Sequence, residues 1–129
     1  MARLLLVDDH DIVRKSIRTL LRDHPEWEIV GEAANGADGV ARARELKPDL
    51  VLLDINMPVM TGLEALRQIA QLEPAPRVLM FTIVQEEEML QAAREAGAHG
   101  YVVKSRASRD LVPAVEELLN GGTFWRGST

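Results

Sequence analysis

Short apolar runs alternate with amphipathic segments along the whole chain, and this alternation limits the fold more than any other feature of the sequence. Continuous apolar runs are typical of strands that are buried on both faces, as in parallel sheets covered by helices. Repeated strand and helix units therefore predict an α/β fold. We expect strands at residues 3–7, 28–33, 50–53, 78–81 and 101–103.

Segments with apolar residues at helical spacing follow each of these strands. In the first segment, we expect Asp9 or Asp11 to be the N-cap and Ile12 to lie on the apolar face. The second opens at Asn35-Gly36, and the fourth spans residues 86–96. Pro113 is predicted in the first turn of the fifth helix, where proline is tolerated. Five strands and five helices follow from this pattern.

Five parallel strands joined by right-handed helical crossovers make a doubly wound sheet, and a common order is 2-1-3-4-5, as in flavodoxin-like (βα)5 folds. In that order a crevice opens at the carboxyl ends of strands 1 and 3, where ligands bind. Asp8, Asp9 and Asp54 follow those two strands. The fold class therefore predicts that these three acids meet at one edge of the sheet.

The length of 129 residues fits one domain, which we place at residues 1–120, with residues 121–129 as a Gly-rich tail or the start of a linker. The net charge of −5 argues against a dedicated nucleic-acid-binding surface. No apolar run approaches the ~20 residues of a membrane span, so we expect a cytoplasmic protein. The absence of cysteine excludes disulfides and thiol nucleophiles.

Three carboxylates at one sheet edge would repel each other unless a cation relieved the conflict. Magnesium prefers oxygen ligands and commonly binds one or two carboxylates together with phosphate oxygens. The simpler interpretation, that Asp8, Asp9 and Asp54 only cap helices, is reasonable for one acid and poor for all three. The cluster therefore predicts a Mg²⁺ site.

Two further polar residues follow the neighbouring predicted strands: Thr82 ends strand 4, and Lys104 comes after strand 5. A hydroxyl can donate to a phosphoryl oxygen, and an ammonium can neutralise one. Each residue alone has an ordinary explanation, as a β-former or a solvated strand boundary. Together with the acids they indicate a phosphoryl site, in which Asp54 is the best candidate for a carboxylate nucleophile.

Four motifs, LLLVDDH, LVLLDINMP-x-x-x-G, MFT and GYVVK, resemble the receiver domains of two-component response regulators. The resemblance implies that Asp54 receives phosphate from a sensor histidine kinase or a small phosphodonor. It also implies a set of site residues. Asp9, Asp54 and the backbone carbonyl of Asn56 would hold Mg²⁺, Asp8 would act through water, Thr82 and Lys104 would bind the phosphoryl oxygens, and Tyr101 would be the switch aromatic that, with Thr82, changes position on activation.

Two features are similar to the NarL/FixJ-type subfamily: the segment PEWEIVGEAANG, and Ser105 where many receivers have a proline after the lysine. Members of that subfamily usually add a helix-turn-helix DNA-binding domain. The resemblance therefore implies regulation of transcription through an output domain that this sequence does not contain, and no DNA binding by this chain alone. We expect Phe124 and Trp125, in the Gly-rich tail, to pack back on the domain.

Two other functions stay open at this point: a stand-alone receiver that acts through protein contacts, and a Mg²⁺-dependent phosphohydrolase with an aspartyl-phosphate intermediate. Phosphohydrolases of the haloacid-dehalogenase type need a second acid two residues after the nucleophile on the first strand, whereas here Asp54-Ile55-Asn56 follows the third. We therefore expect no enzyme activity beyond the chain's own phosphorylation and dephosphorylation. A weak homodimer is also compatible with the sequence.

Overall fold

A computed structural model describes residues 1–57 and 59–125 of the chain. They form five parallel strands in the order β2-β1-β3-β4-β5, so the predicted doubly wound sheet is confirmed. The elements are β1 (Ala2–Val7), α1 (Asp11–Leu20), β2 (Trp27–Ala33), α2 (Gly36–Leu46), β3 (Leu50–Leu53), α3 (Gly62–Ile69), β4 (Arg77–Thr82), α4 (Glu87–Ala96), β5 (Gly100–Val103) and α5 (Ala107–Leu119). Over these two ranges, no helix is long and apolar enough to cross a membrane.

Helices cover both faces of the sheet, which explains why the strands read as unbroken apolar runs. Successive side chains of a strand point to opposite faces. Leu4 and Leu6 of β1 therefore pack with α1 and α5, whereas Leu5 and Val7 pack with α2, α3 and α4. All four leucine and valine side chains are at most 1% exposed. Burial on both faces fixes the sheet as the centre of the molecule.

Local signals at two helix ends act as predicted. The Asn35 side chain accepts a hydrogen bond from the backbone N–H of Asp38 at 2.9 Å and so caps α2. Gly97 ends α4 with a φ of +112°, a left-handed conformation that glycine adopts without steric cost. Both ends therefore follow from residues within one turn of the boundary.

The predicted N-cap of α1 is wrong. His10 occupies that position without a side-chain cap, and Asp11 is the first helical residue, paired with Arg14 one turn later. Asp9 instead lies with the acidic cluster described below. Ile12 is 75% exposed, because it falls beside the buried stripe that contains Ile17.

The placement of Pro113 in the first turn of α5 is also wrong. A 3-10 turn at Lys104–Arg106 leads directly into α5, which starts at Ala107, so Pro113 lies in its second turn. Proline removes the donor for the carbonyl four residues earlier. Both Pro113 and Arg109 are exposed, and water can satisfy that carbonyl.

The C-terminal strap, residues 122–125, packs against the outer edge of β5. The Tyr101 N–H donates to the Phe124 carbonyl at 2.8 Å, and the Phe124 N–H donates to the His99 carbonyl at 3.1 Å. The Phe124 side chain is buried, and the Arg94 guanidinium lies 4.3 Å from the centre of the Trp125 ring. The prediction that both aromatics pack back on the domain is confirmed.

Candidate functional site

The carboxyl ends of β1 and β3 bring two buried acids side by side. Val7 and Leu53 are paired in register, so Asp8 and Asp54, which follow them directly, leave the sheet at the same level. Asp8 is 2% exposed and Asp54 is 3% exposed. Burying two carboxylates together is costly unless they are paired with positive charge. The site therefore needs cations.

Lys104 supplies one cation from the end of β5. Its Nζ lies 2.7 Å from Asp8 Oδ2 and 3.2 Å from Asp54 Oδ2, and its side chain is only 12% exposed. One ammonium between two carboxylates leaves a net negative charge, and Asp9 adds another at the rim. Lysine bridges the acids without neutralising the cluster.

The remaining negative charge and the carboxylate oxygens of the cluster fit a hard divalent cation. Ligand atoms of Asp8, Asp9, His10 and Asp54 all lie within 4.8 Å of one another. Asp8 Oδ2 and Asp9 Oδ1 are buried and receive no well-oriented hydrogen bond from the described part of the chain. Carboxylate oxygens are the ligands that Mg²⁺ prefers. Asn56, the further predicted ligand, lies in the loop directly after the site, and the role of its carbonyl stays a prediction.

The loop after β3 folds tightly over Asp54. The Ile55 N–H donates to Asp54 Oδ1 at 2.7 Å, and the Gly62 N–H donates to the Ile55 carbonyl at 2.7 Å. A Cβ on Gly62 would lie 2.0 Å from the Asp54 carbonyl oxygen, so only glycine fits there. Gly62 is the glycine of the motif LVLLDINMP-x-x-x-G and was not among the predicted site residues. That glycine is the sequence signal for the close approach.

Arg14, which was not among the predicted site residues, holds the loop after β1. Its guanidinium donates to the Asp8 carbonyl, pairs with Asp11, and contacts Glu32 Oε1 through Nε at 2.9 Å. The side chain is only 13% exposed. The spacing of Asp11 and Arg14 is the only local signal for this arrangement, since Glu32 comes from β2.

Thr82 and Tyr101 meet at the backbone of one residue, Val84. The Thr82 Oγ1 accepts from the Val84 N–H at 3.3 Å, and the Tyr101 hydroxyl donates to the Val84 carbonyl at 2.9 Å. Both residues are buried. Burial, helped by the negative charges of Glu86 and Asp54, raises the pKa of Tyr101 to about 12. These two side chains therefore fix the loop between β4 and α4.

In the conformation described Tyr101 already points inward, and its predicted change of position on activation stays a prediction. The residue is 1% exposed and belongs to the core on the side of α2, α3 and α4. The carbonyl of Val84 gives the hydroxyl a partner inside the protein. A buried tyrosine of this kind needs such a partner, and the sequence does not reveal that one exists.

Comparison with known proteins places this geometry among signalling proteins. Residues 4–116 match the response regulator receiver domain family. The chain is 38% identical over 120 residues to the nitrate/nitrite response regulator protein NarL of Escherichia coli K12, covering 93% of this chain and 56% of that protein. It is 40% identical over 119 residues to the response regulator protein VraR of Staphylococcus aureus, covering 92% and 57%.

A solved structure shows the same architecture over nearly the whole chain. The two-component response regulator of the LuxR family from Aurantimonas superposes with a TM-score of 0.91 at 42% identity, covering 96% of this chain and 89% of that one. The chain spans little more than half the length of the curated relatives it matches. The shared part is the segment that carries the acidic cluster.

Proposed function

The chain belongs to the response regulator receiver domain family, and we propose that it is a phosphorylation-dependent signalling switch in which Asp54 accepts the phosphoryl group. The observation that carries the proposal is the contact of Lys104 Nζ with both Asp8 and Asp54 at a buried sheet edge. A lysine held there is ready to neutralise a phosphoryl oxygen as soon as one is attached to Asp54. Burying the Lys104 ammonium with two carboxylates costs desolvation free energy, and a buried ion pair of this kind is weak evidence for a purely stabilising role.

The reaction moves a phosphoryl group from the phosphohistidine of a sensor kinase, or from a small phosphodonor, to Asp54. A carboxylate oxygen of Asp54 forms a bond to phosphorus, and with phosphohistidine as the donor the bond from phosphorus to the imidazole nitrogen breaks. The electron pair stays with the donor imidazole, which takes up a proton. Asp9, Asp54 and the Asn56 carbonyl would hold Mg²⁺, with Asp8 acting through water; the ion supplies Lewis-acid stabilisation of the phosphoryl charge.

Intact mass spectrometry after incubation with Mg²⁺ and a small phosphodonor tests this proposal. We expect the mass of one phosphoryl group on the parent and on Asp23→Asn, a matched control at an exposed aspartate. We expect none on Asp54→Asn. Equal labelling of the Asp54 variant would show that another residue accepts phosphate. Catalytic turnover of a small phosphate ester would favour the phosphohydrolase instead.

Phosphorylation becomes a signal through Val84. A phosphoryl group adds roughly two negative charges and three acceptor oxygens, so the Thr82 hydroxyl gains a stronger partner than its contact with the Val84 N–H at 3.3 Å. Movement of Thr82 then changes the loop that Tyr101 holds through the Val84 carbonyl. The phosphoryl group shifts this equilibrium only by its differential affinity for the two loop conformations, typically ~1–3 kcal/mol.

A groove between α1 and α5 supports a kinase helix as the phosphodonor partner. It has a volume of about 670 Å³, and most of its exposed surface is apolar. Ile12, Leu20 and Phe81 are among its apolar lining residues, and Lys104 is among the polar ones. Ile12 is 75% exposed, and amphipathic helices bind such apolar grooves. Ile12→Asp should slow phosphotransfer from the kinase and leave labelling by a small phosphodonor unchanged. Loss of both reactions would contradict the docking role.

The output is regulation of transcription through a domain that lies outside this sequence. Relatives such as NarL are about twice as long as the matched segment, and one relative from Bacillus subtilis is named a transcriptional regulatory protein. The acidic chain alone should not bind DNA selectively. Selective retention on a DNA duplex at physiological salt would contradict this part of the proposal.

A further inference from the structure

The C-terminal strap is held to the sheet around one histidine, His99, which the proposed function does not use. The His99 carbonyl accepts from the Phe124 N–H at 3.1 Å, and the Tyr101 N–H donates to the Phe124 carbonyl at 2.8 Å. On β4, the guanidinium of Arg77 donates to the carbonyl of Gly122. The Phe124 ring is buried in this arrangement. Backbone groups at the start of β5 and a cation of β4 therefore hold the strap closed.

The His99 ring takes part in the first contact between β4 and β5, and it does so in its neutral form. Its Nδ1 accepts a hydrogen bond from the Val78 N–H at 3.0 Å, and the His99 backbone N–H donates to the Val78 carbonyl at 2.9 Å. Because Nδ1 can accept only when it carries no proton, this geometry requires a neutral imidazole. Protonation would direct two N–H groups at each other and leave the Val78 N–H without its acceptor.

The charges around His99 also oppose its protonation. Burial of the ring, and then the charge of Arg77 on β4, lower the pKa of His99 below its ordinary 6.5. The Arg77 Nε is itself buried and has no hydrogen-bond acceptor in the described part of the chain, so a further cation beside it is costly. Other charged side chains on the surrounding elements contact other groups: Glu117 of α5 lies against Gly122, Arg94 of α4 lies over the Trp125 ring, and Asp49 before β3 accepts from the Arg3 N–H.

We propose that His99 is a pH-sensitive latch, whose neutral ring keeps the strap closed on β5 and whose protonation opens it. A protonated ring must leave the Val78 N–H, and the carbonyl of the same histidine is one of the groups that hold the strap. Repulsion by the imidazolium also moves the Arg77 guanidinium away from the Gly122 carbonyl. The Gly122 N–H stays bound to the Glu117 carbonyl at 2.8 Å, so the strap separates from β5 beyond this point.

Acid opens the strap because the open form binds the proton more tightly than the closed form. In the open form the imidazole is free of Val78 and its pKa returns toward the ordinary 6.5, whereas in the closed form the pKa is lower. The ratio of closed to open molecules is therefore constant above pH 6.5 and falls below it, by up to about tenfold for each pH unit, until the closed form also takes up the proton. The buried Phe124 ring favours the closed form at neutral pH. Opening exposes backbone groups at the edge of β5, which can then pair with another strand.

A pH titration with two readouts tests the latch: NMR of the His99 ring and the strap amides, and fluorescence of Trp125. The only other tryptophan, Trp27, stacks on the titratable His24 ring at 4.3 Å, so every protein in the titration carries Trp27→Phe. As the pH falls from about 8 to about 5, we expect the Phe124 amide signal to shift with the same midpoint as the His99 ring. We expect the Trp125 emission to move to longer wavelength with that midpoint as well.

His99→Asn is the decisive variant, because the asparagine amide oxygen can replace Nδ1 as the acceptor and does not titrate. It should keep the strap closed at about pH 5, whereas His24→Asn, the control at a histidine paired with Glu26, should open as the parent does. In the parent, titration of the His99 ring without a change in the strap signals would overturn the latch, and this result needs no variant. Strap signals that change in His99→Asn at the same pH as in the parent, or only where circular dichroism shows that the whole domain unfolds, would overturn it too.

Discussion

Titration of Tyr101 tests the buried conformation of the switch residue directly. It is the only tyrosine in the chain, so phenolate absorbance reports on this side chain alone. We expect a midpoint at about 12 rather than the ordinary 10.0, because burial and then the charges of Glu86 and Asp54 disfavour the phenolate. The titration is read by absorbance, with circular dichroism at each pH to establish that the protein remains folded.

The shift also makes stability depend on pH. The unfolded chain loses the phenol proton near pH 10, and the folded chain loses it at about 12, so folding is favoured below pH 10 and weakens progressively between these values. Two pKa units at about 1.4 kcal/mol each correspond to about 3 kcal/mol at most. A midpoint near 10 in the folded protein would refute the buried conformation.

The hydroxyl makes a separate contribution through the Val84 carbonyl. Tyr101→Phe should lower the free energy of unfolding by about 1–3 kcal/mol in urea denaturation at neutral pH, because the carbonyl loses its donor. The variant should also remove the contribution of Tyr101 to the dependence of stability on pH between 10 and 12, which makes it the control for the titration. Unchanged stability at neutral pH would contradict the hydrogen bond at 2.9 Å.

Three further predictions concern the strap, the loop over the acids and His99, a half-buried histidine. Phe124→Ala should destabilise the chain by about 3 kcal/mol in urea denaturation, because the buried ring leaves a cavity; a loss under about 1 kcal/mol would contradict its packing. Gly62→Ala should reduce both stability and phosphorylation, since its Cβ would lie 2.0 Å from the Asp54 carbonyl oxygen. Gly122→Ala is the control: its Cβ meets a flexible glutamate side chain and approaches backbone only to 3.2 Å, so it should cost less stability and leave phosphorylation unchanged. The His99 ring should titrate below 6.5 by NMR, because burial and then the charge of Arg77 lower its pKa. The unfolded chain then takes up the proton at higher pH than the folded chain, so the free energy of unfolding should fall as the pH drops below 6.5. A midpoint at the ordinary value in the folded protein would contradict the lowered pKa.

The strands were predictable to within one residue. In β1, β3, β4 and β5 burial on both faces confines polar residues to the strand ends or next to them, whereas the edge strand β2 also carries Glu28 and Glu32. Residues 50–53 illustrate this, since LVLL is strand from end to end and entirely buried. Helix ends were predictable where a local residue decides them, as Asn35 and Gly97 do. The N-cap of α1 was not, because the acids near it have other partners: Asp11 pairs with Arg14, and Asp9 belongs to the acidic cluster.

The candidate site was predictable as a set of residues and not as a set of contacts. Strand order places Asp8 beside Asp54, and this follows from topology alone. The bridging position of Lys104 depends on the conformation of its side chain, which strand order does not determine. The orientation of Tyr101 depends on a backbone carbonyl, that of Val84, which belongs to a loop without a motif. Tertiary partners decide both features, and sequence patterns report only local structure.

Tyr101 links the acidic site to the C-terminal strap through both its side chain and its backbone. Its hydroxyl holds Val84, whose N–H also contacts Thr82, and its own N–H holds the Phe124 carbonyl. On the proposed function, a change at Thr82 alters the loop that positions the Tyr101 ring. The same residue anchors the strap, residues 122–125, at the edge of β5. Coupling needs an element with two arrangements that both sites bias. On the proposed function the loop at Val84 would be that element, because Thr82 and Tyr101 bind the N–H and the carbonyl of the same residue.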